Sequence, residues 1–290
     1  MRHSIGLTLI LLFLSACGGG EPAKTESAET AEQAAATAAE TASAETAKSE
    51  AQAATGDCQL TLGWESYEPY QFRDLNGDVR GLDVDVVTAI AERVGCKITY
   101  QQGEWRELLD GIKSGKLDLI ASATRTEDRE EYAYFSDPYR EEAFSLYVRA
   151  GEANKWAAKS IREMVRDKNM RIGLIDGYVY GGVIEDLLGE PELAPHFISA
   201  SFSESHAANL LDGKIDGLME DAYVAEAMIQ RKNLGDRIER LPFNYHKGDV
   251  AIMFSKQSVQ PDLVQRFNET IAAMKSDGKL EAISSRYKKK

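Results

Sequence analysis

The segment Thr124–Arg129 combines residue types that are suited to binding an anion. It follows the apolar run Leu117–Ala123, which predicts a strand, and Thr126 followed by two acidic residues is typical of the start of a helix. Free N–H groups at a helix start favour an anion, and the guanidinium of Arg129 offers a planar pair of donors that fits a carboxylate. The alternative is a surface arginine paired with a glutamate at 130–131.

Few groups in the sequence are arranged for catalysis. In its second half, only Glu220 or Asp221 could supply a general acid with a raised pKa. His196, His206 and His246 show no metal-ligand spacing, and the chain has neither a Gly-x-Ser-x-Gly elbow nor a phosphate-binding loop. The net charge of −13 argues against a nucleic-acid partner, which a basic patch would attract. We therefore expect no metal, no cofactor and no nucleic acid.

The elements that must position these residues begin at Cys58, where short apolar runs start to alternate with helical periodicity, as in βαβ units. Strands are predicted at 59–64, 97–101 and 117–123. Asp83 is expected to cap the first helix, which Gly95 stops, and a second helix runs from Trp105 to Gly115. Right-handed crossovers make such strands a parallel sheet.

The same rhythm then recurs, with strands at 171–175, 196–200 and 215–219 and helices at about 180–188, 205–212 and 221–231. A further strand at 250–254 and helices at 261–276 and 279–287 are too short for a third domain, so we expect them to return to the first lobe. The prediction is an α/β protein of two lobes joined by two chain crossings. Its boundaries are lobe one at 57–138 plus 251–290, lobe two at 144–245, and hinges at about 139–143 and 246–250.

The N-terminal part of the chain predicts export and a lipid anchor. Residues 1–17 read as a signal peptide, and the ending Leu14-Ser15-Ala16-Cys17 resembles the bacterial lipobox, in which the cysteine is lipidated. The alternative is an ordinary secretory signal with an accidental cysteine. Residues 18–56 contain no aromatic residue and no Leu, Ile or Val, so they are predicted to form a solvated tether.

Two cysteines remain after Cys17, and the predicted export places them in an oxidising compartment. Cys58 and Cys96 each open a predicted strand, and adjacent parallel strands would bring both to the same edge of the sheet. We expect a disulfide between them. They lack the paired-ligand spacing of a zinc site.

From residue 59 to about 288 the sequence resembles the bacterial extracellular solute-binding proteins of the polar amino acid class. The resemblance rests on five short motifs in the same order and spacing. They are Tyr67-Glu68-Pro69-Tyr70-Gln71-Phe72, Gly81-Leu82-Asp83-Val84-Asp85, Gly115-Lys116-Leu117-Asp118, Thr124-Arg125-Thr126-Glu127-Asp128-Arg129 and Phe135-Ser136-Asp137-Pro138-Tyr139. The resemblance implies the periplasmic binding protein-like II fold, with a ligand enclosed between the lobes.

The resemblance also implies roles for individual residues. Arg129 would bind the α-carboxylate of an amino acid, Ser122 and Thr124 would bond its α-amino or carboxylate group, and Asp221 would accept from its ammonium. The aromatic wall of the family corresponds to Tyr67 and Trp105, whose rings would stack on the ligand side chain or attract a cation.

The sequence departs from its relatives at two places in the expected site. In lobe two, the bulky Tyr178 and Val179 stand in a turn that is usually rich in glycine and threonine, so their side chains should narrow or reshape the pocket. The loop after the first strand is one residue shorter, which leaves open whether Trp64 or Glu65 reads the ligand side chain. Glu65 and Glu220 beside several aromatics favour a cationic or amphipathic amino acid, although either could be solvated.

The function implied by the resemblance is that of a substrate-binding lipoprotein of an ABC importer, monomeric and anchored in the periplasm by lipid alone. Its partners would be an amino acid or a similar small zwitterion and the transporter permease. The alternative is a periplasmic enzyme on the same fold, similar to cyclohexadienyl or arogenate dehydratase. We expect no enzymatic activity, because pairing with an ammonium explains Asp221 more simply than catalysis does.

Overall fold

The computed structural model of the protein describes residues 58–287, apart from the side chains of residues 243 and 244. The predicted signal peptide, the lipidated Cys17 and the tether at 18–56 lie outside the described residues. Within the described part of the chain, no helix combines the length and the apolar character needed to cross a membrane.

The first part of lobe one follows the predicted βαβ order. Its elements are β1 (Cys58–Trp64), β2 (Phe72–Arg73), β3 (Val79–Arg80), α1 (Leu82–Arg93), β4 (Cys96–Gln102), α2 (Trp105–Ser114), β5 (Leu119–Ala123), α3 (Glu127–Glu130) and β6 (Ala133–Phe135). β1 lies between β4 and β5 and is parallel to both, as the crossovers predict. Gly115 ends α2 in the left-handed conformation, with φ at 74°.

Lobe two repeats this arrangement. The chain continues through β7 (Arg140–Arg149), α4 (Ile161–Lys168), β8 (Ile172–Ile175), α5 (Gly182–Leu188), β9 (Phe197–Ala200), α6 (Ser203–Leu211), β10 (Gly217–Asp221) and α7 (Ala222–Arg231). Here β8 lies between β9 and β10 and is parallel to both. The carboxyl ends of the parallel strands in each lobe therefore share one edge, where open α/β sheets place their ligands.

The last segment returns to lobe one through β11 (Ile238–Ser255), α8 (Pro261–Ser276) and α9 (Lys279–Ser284). Phe267, Ile271 and Met274 of α8 are buried in the same apolar cluster as Leu60 and Leu62 of β1. The C-terminal helices thus complete the core of lobe one.

Two paired strands connect the lobes. β7 and β11 run antiparallel, and Arg140–Ala143 pairs with Lys247–Val250. β11 continues into lobe one against β5 and β6, whereas β7 continues into lobe two against β10. The hinges predicted at 139–143 and 246–250 fall on this ribbon, and its bending there stays a prediction.

The predicted capping role of Asp83 is wrong. α1 begins after Gly81, whose φ is 132°, and Asp83 is not the capping residue. A Cβ at Gly81 would lie 2.1 Å from the carbonyl oxygen of Tyr70, so only glycine fits this entry to the helix. The carboxylate of Asp83 instead accepts from Nε and Nη2 of Arg140, each at 2.8 Å. Asp83 is fully buried and the side chain of Arg140 is 10% exposed, and in such a setting a bidentate ion pair satisfies a carboxylate better than a single capping bond.

The predicted disulfide is confirmed. Cys58 and Cys96 are direct register partners on the parallel strands β1 and β4, and their sulfur atoms are bonded. The bridge closes a loop with a sequence separation of 38 residues and ties the first strand of the described chain to the sheet edge.

Candidate functional site

A small cavity lies between the two lobes, beside the strand ends and the connecting ribbon. Its free space is about 20 Å³, which is room for about one water molecule. Both lobes contribute to its wall. The lining residues are Glu65, Tyr67, Trp105, Ser122, Thr124, Arg129, Glu142, Phe144, Tyr178 and Val179.

Arg129 is held inside this wall by the short helix α3. The hydroxyl of Thr126 accepts from the main-chain N–H of Arg129 and caps the helix start. The guanidinium donates to the carbonyl oxygens of Thr124 at 2.7 Å and Gly177 at 2.8 Å, and it lies 5.5 Å from the ring centre of Trp105.

Arg129 is an internal cation that forms no salt bridge with a described residue. The residue is 6% exposed, and burial lowers the pKa of its guanidinium. Its hydrogen bonds within the described chain go to neutral carbonyl oxygens. The surface alternative is excluded by this burial, and the residue that pairs with Glu130 is Arg125. A buried charge gains most from a partner of opposite sign, so this position favours an anionic group.

Tyr178 brings lobe two into the cavity. Its hydroxyl donates to Oε1 of Glu65 at 2.7 Å, and its ring meets the rings of Tyr67 and Trp105 edge-on at centroid distances of 5.8 and 5.7 Å. The preceding carbonyl of Gly177 accepts from Arg129 and from Nε1 of Trp105. These contacts account for the small remaining space.

Three glutamates in or near the cavity are buried. Burial raises the pKa of Glu65 to about 8 and that of Glu142 to about 7, and both line the wall. Burial also raises the pKa of Glu220 to about 8, although its carboxylate accepts from the hydroxyl of Ser203 and from the N–H of Asp221. The wall of the cavity therefore contains one guanidinium and two carboxyl groups, and burial raises the pKa values of both carboxyl groups to near neutral pH.

The buried Glu220 leads to a prediction for stability. Burial raises its pKa from the ordinary value of 4.5 to about 8, so between these values the folded state binds more protons than the unfolded state. The free energy of unfolding should therefore fall as pH rises from about 5 to 8, by about 1.4 kcal/mol for each unit of pKa difference. Glu220→Gln keeps the shape without the ionisation and should make this fall smaller, while the raised pKa values of Glu65 and Glu142 maintain the rest of it. Urea unfolding at several pH values measures the difference. Equal slopes in both proteins would contradict the prediction.

Most of the predicted ligand-binding residues lie together in the wall. In addition to Arg129, the structure places Tyr67, Trp105, Ser122, Thr124, Tyr178 and Val179 there, and of the two candidates left open, Glu65 lines the cavity. Ser122 lies in strand β5 and adopts a positive φ of 56°, which is uncommon for serine, where the pairing of β5 with β11 is irregular. Its hydroxyl bonds Gln71, Asp83 and Arg140, so the network behind the wall already engages it.

Three predicted residues do not line the cavity. Trp64 is buried at the end of β1, with the guanidinium of Arg73 5.3 Å from its ring centre. Glu220 is buried against Ser203. Asp221 caps α7 by accepting from the N–H groups of residues 223 and 224, and its other oxygen accepts from the N–H of Ala143 at 3.2 Å. The assignment of Asp221 to a ligand ammonium stays a prediction.

Glu142 and Phe144 line the cavity but were missed from the sequence. Both lie on β7 at the crossing, where the run Arg140-Glu141-Glu142 looks like a solvated hinge. Their position in the chain could have predicted this, because a strand that crosses between two lobes also lines the cleft between them. Alternation along β7 then turns Glu142 inward and leaves Glu141 exposed.

Comparison with known proteins gives the family of this chain. Residues 60–290 match the family of bacterial extracellular solute-binding proteins, family 3. The chain belongs to this family. The match confirms the predicted class of protein, a solute-binding protein, over nearly all of the described residues.

Relatives of this family 3 protein are distant in sequence. It is 25% identical to the ABC transporter arginine-binding protein 1 of Escherichia coli (strain K12), over 77% of this chain and 87% of the relative. It is 23% identical to the L-cystine-binding protein TcyJ of the same strain, over 79% and 82% of the two chains. An ancestral arginine-binding protein solved with arginine has a TM-score of 0.67 at 24% identity, covering 79% of this chain and 97% of that one. These similarities confirm the predicted periplasmic binding protein-like fold.

Proposed function

We propose that this family 3 protein captures an amino acid between its lobes and delivers it to an ABC importer. The observation that carries the proposal is the buried guanidinium of Arg129, which lines the cavity between the lobes and, among the described residues, donates to two neutral carbonyl oxygens. An α-carboxylate would supply the missing anion in a bidentate pair. The names of the relatives, which bind arginine and cystine, support an amino acid as the solute.

The remaining wall residues suit the rest of such a solute. Tyr67 and Trp105 offer ring faces and edges for its side chain, and Thr124 offers a hydroxyl. The wall also holds two carboxyl groups, Glu65 and Glu142, for one guanidinium. A solute with one carboxylate and two cationic groups could pair with all three, because a cation beside each buried carboxyl group favours its ionised form, so we favour a cationic amino acid.

Capture requires the lobes to move. Small-molecule sites commonly enclose about 300–1,000 Å³, far more than the space beside Tyr178. The solute must therefore displace the Tyr178 side chain, and the lobes must separate by bending of the ribbon that joins them. Closure around the solute would be the state that the permease recognises, as in other hinged binding proteins.

We also propose how the protein is anchored to the membrane and which partner it has. The Leu14–Cys17 motif supports a lipid anchor at the membrane, and residues 18–56 would tether the lobes to it. We propose that the protein acts as a periplasmic monomer with an importer permease as its partner, and that it performs no chemistry on the solute.

A thermal-shift panel tests the proposal directly. The purified protein is heated with each common amino acid and with cystine, ornithine and citrulline, and with prephenate and arogenate as enzyme substrates. A cationic amino acid should raise the melting temperature, because a ligand at 100 times its dissociation constant stabilises the folded state by about 2.7 kcal/mol. Turnover of prephenate or arogenate, with no amino acid raising the melting temperature, would contradict the proposal and favour the enzyme.

A further inference from the structure

We propose that Glu142, on the connecting strand β7, is the acceptor for the α-ammonium group of the solute. The inference rests on the proposed function, since it assigns one contact within that site. It differs from the expectation for Asp221, which the family resemblance alone suggested.

The position of Glu142 fits the role. Its carboxylate is 5% exposed and lines the same small cavity as Arg129. Oε1 accepts from the hydroxyl of Thr124 at 2.9 Å, and Oε2 makes no hydrogen bond within the described residues. One carboxylate oxygen is therefore held in place while the other keeps its full capacity to accept.

Thr124 sets the spacing between the two charged groups. Its hydroxyl bonds Glu142, and its carbonyl oxygen accepts from Nη1 of Arg129. The acid and the guanidinium are thus anchored to two atoms of one residue. The α-carboxylate and α-ammonium of an amino acid are likewise attached at one carbon, so a zwitterion can meet both partners at once.

The other acids near the cavity are engaged elsewhere. The carboxylate of Asp221 accepts from three main-chain N–H groups and does not line the wall. Glu65 accepts a hydrogen bond from the hydroxyl of Tyr178, which belongs to lobe two. Glu65 is therefore the acid that could bind a cationic group on the side chain of the solute. Glu220 is bound to Ser203 behind the wall.

The charged groups around Glu142 make its contact with an ammonium dependent on pH. Burial raises its pKa to about 7, with Arg140 opposing and Asp221 and Asp83 adding to the rise, and Arg129 faces it across the cavity. An ammonium requires the ionised carboxylate. Binding should therefore release protons near pH 7 and weaken as pH falls below it.

A comparison of two ligands tests the assignment. The probes are L-arginine and 5-guanidinopentanoate, which is the same molecule without the α-amino group, and calorimetry gives both dissociation constants. Wild-type protein should prefer L-arginine by about 30-fold or more, as expected for a buried charge pair. In Glu142→Gln the preference should collapse to about threefold, with a smaller proton release. Glu141→Gln, the exposed neighbour on the same strand, should keep the wild-type preference.

The outcomes separate this inference from the proposed function. If Glu142→Gln keeps the preference for L-arginine and Asp221→Asn loses it, the ammonium belongs to Asp221 and the inference is overturned. If the wild-type protein binds no amino acid at all, the proposed function fails as well.

Discussion

Arg129→Ala should weaken binding of the amino acid by about 2–4 kcal/mol, which is roughly a 30- to 1,000-fold rise in the dissociation constant. The reason is the setting of the side chain, a buried guanidinium in the wall that has neutral carbonyls as its partners. Without it, the solute's carboxylate would lose its charge partner in a cavity shielded from water. Calorimetric titration with the amino acid that gives the largest thermal shift measures the effect.

Two variants make the measurement specific. Arg125→Ala removes an exposed arginine four residues away that pairs with Glu130, and binding should stay within about twofold of wild type because surface pairs contribute little. Arg129→Lys keeps the charge but loses the planar fork, so its affinity should fall between wild type and Arg129→Ala. An unchanged dissociation constant for Arg129→Ala would refute the assigned role.

Arg140→Met should lower the free energy of unfolding by about 3–5 kcal/mol. Arg140 and Asp83 form a bidentate pair at 2.8 Å, with side chains 10% and 0% exposed. Removing only the arginine leaves the carboxylate of Asp83 buried without its cation, and the ring of Tyr70 also loses the guanidinium 3.6 Å from its centre. Urea unfolding with a comparison of midpoints and slopes measures the loss.

The control for this change is a second arginine that pairs with an aspartate of α1. Arg286 pairs with Asp85 at 3.0 Å but is 58% exposed, so Arg286→Met should cost less than about 1 kcal/mol. The double variant Asp83→Asn with Arg140→Met should recover part of the loss, since the uncompensated charge is gone. If Arg140→Met cost no more than Arg286→Met, the buried pair would not be a main source of stability.

The sequence predicted the framework well because its signals are local. Apolar runs and glycine stops placed β1, α2 and α8 close to their observed bounds, and the two remaining cysteines paired as expected. The start of α1 lies before the predicted cap, Asp83. Asp83 looks like a cap when only its neighbours are considered, but Arg140, 57 residues away, takes its carboxylate.

By itself, the amino-acid sequence determined the two-lobed α/β architecture, the disulfide and the segment that carries Arg129, because periodicity, strand order and motif spacing are properties of the chain. Only the tertiary structure decided which acids face the cavity. Glu142 and Asp221 are both acidic residues close to β7. The side chain of Glu142 packs into the wall of the cavity, whereas that of Asp221 accepts hydrogen bonds from main-chain N–H groups, two of them at the start of α7. Burial and hydrogen bonding depend on neighbours brought together from distant parts of the chain, so residue type and local spacing could not separate the two.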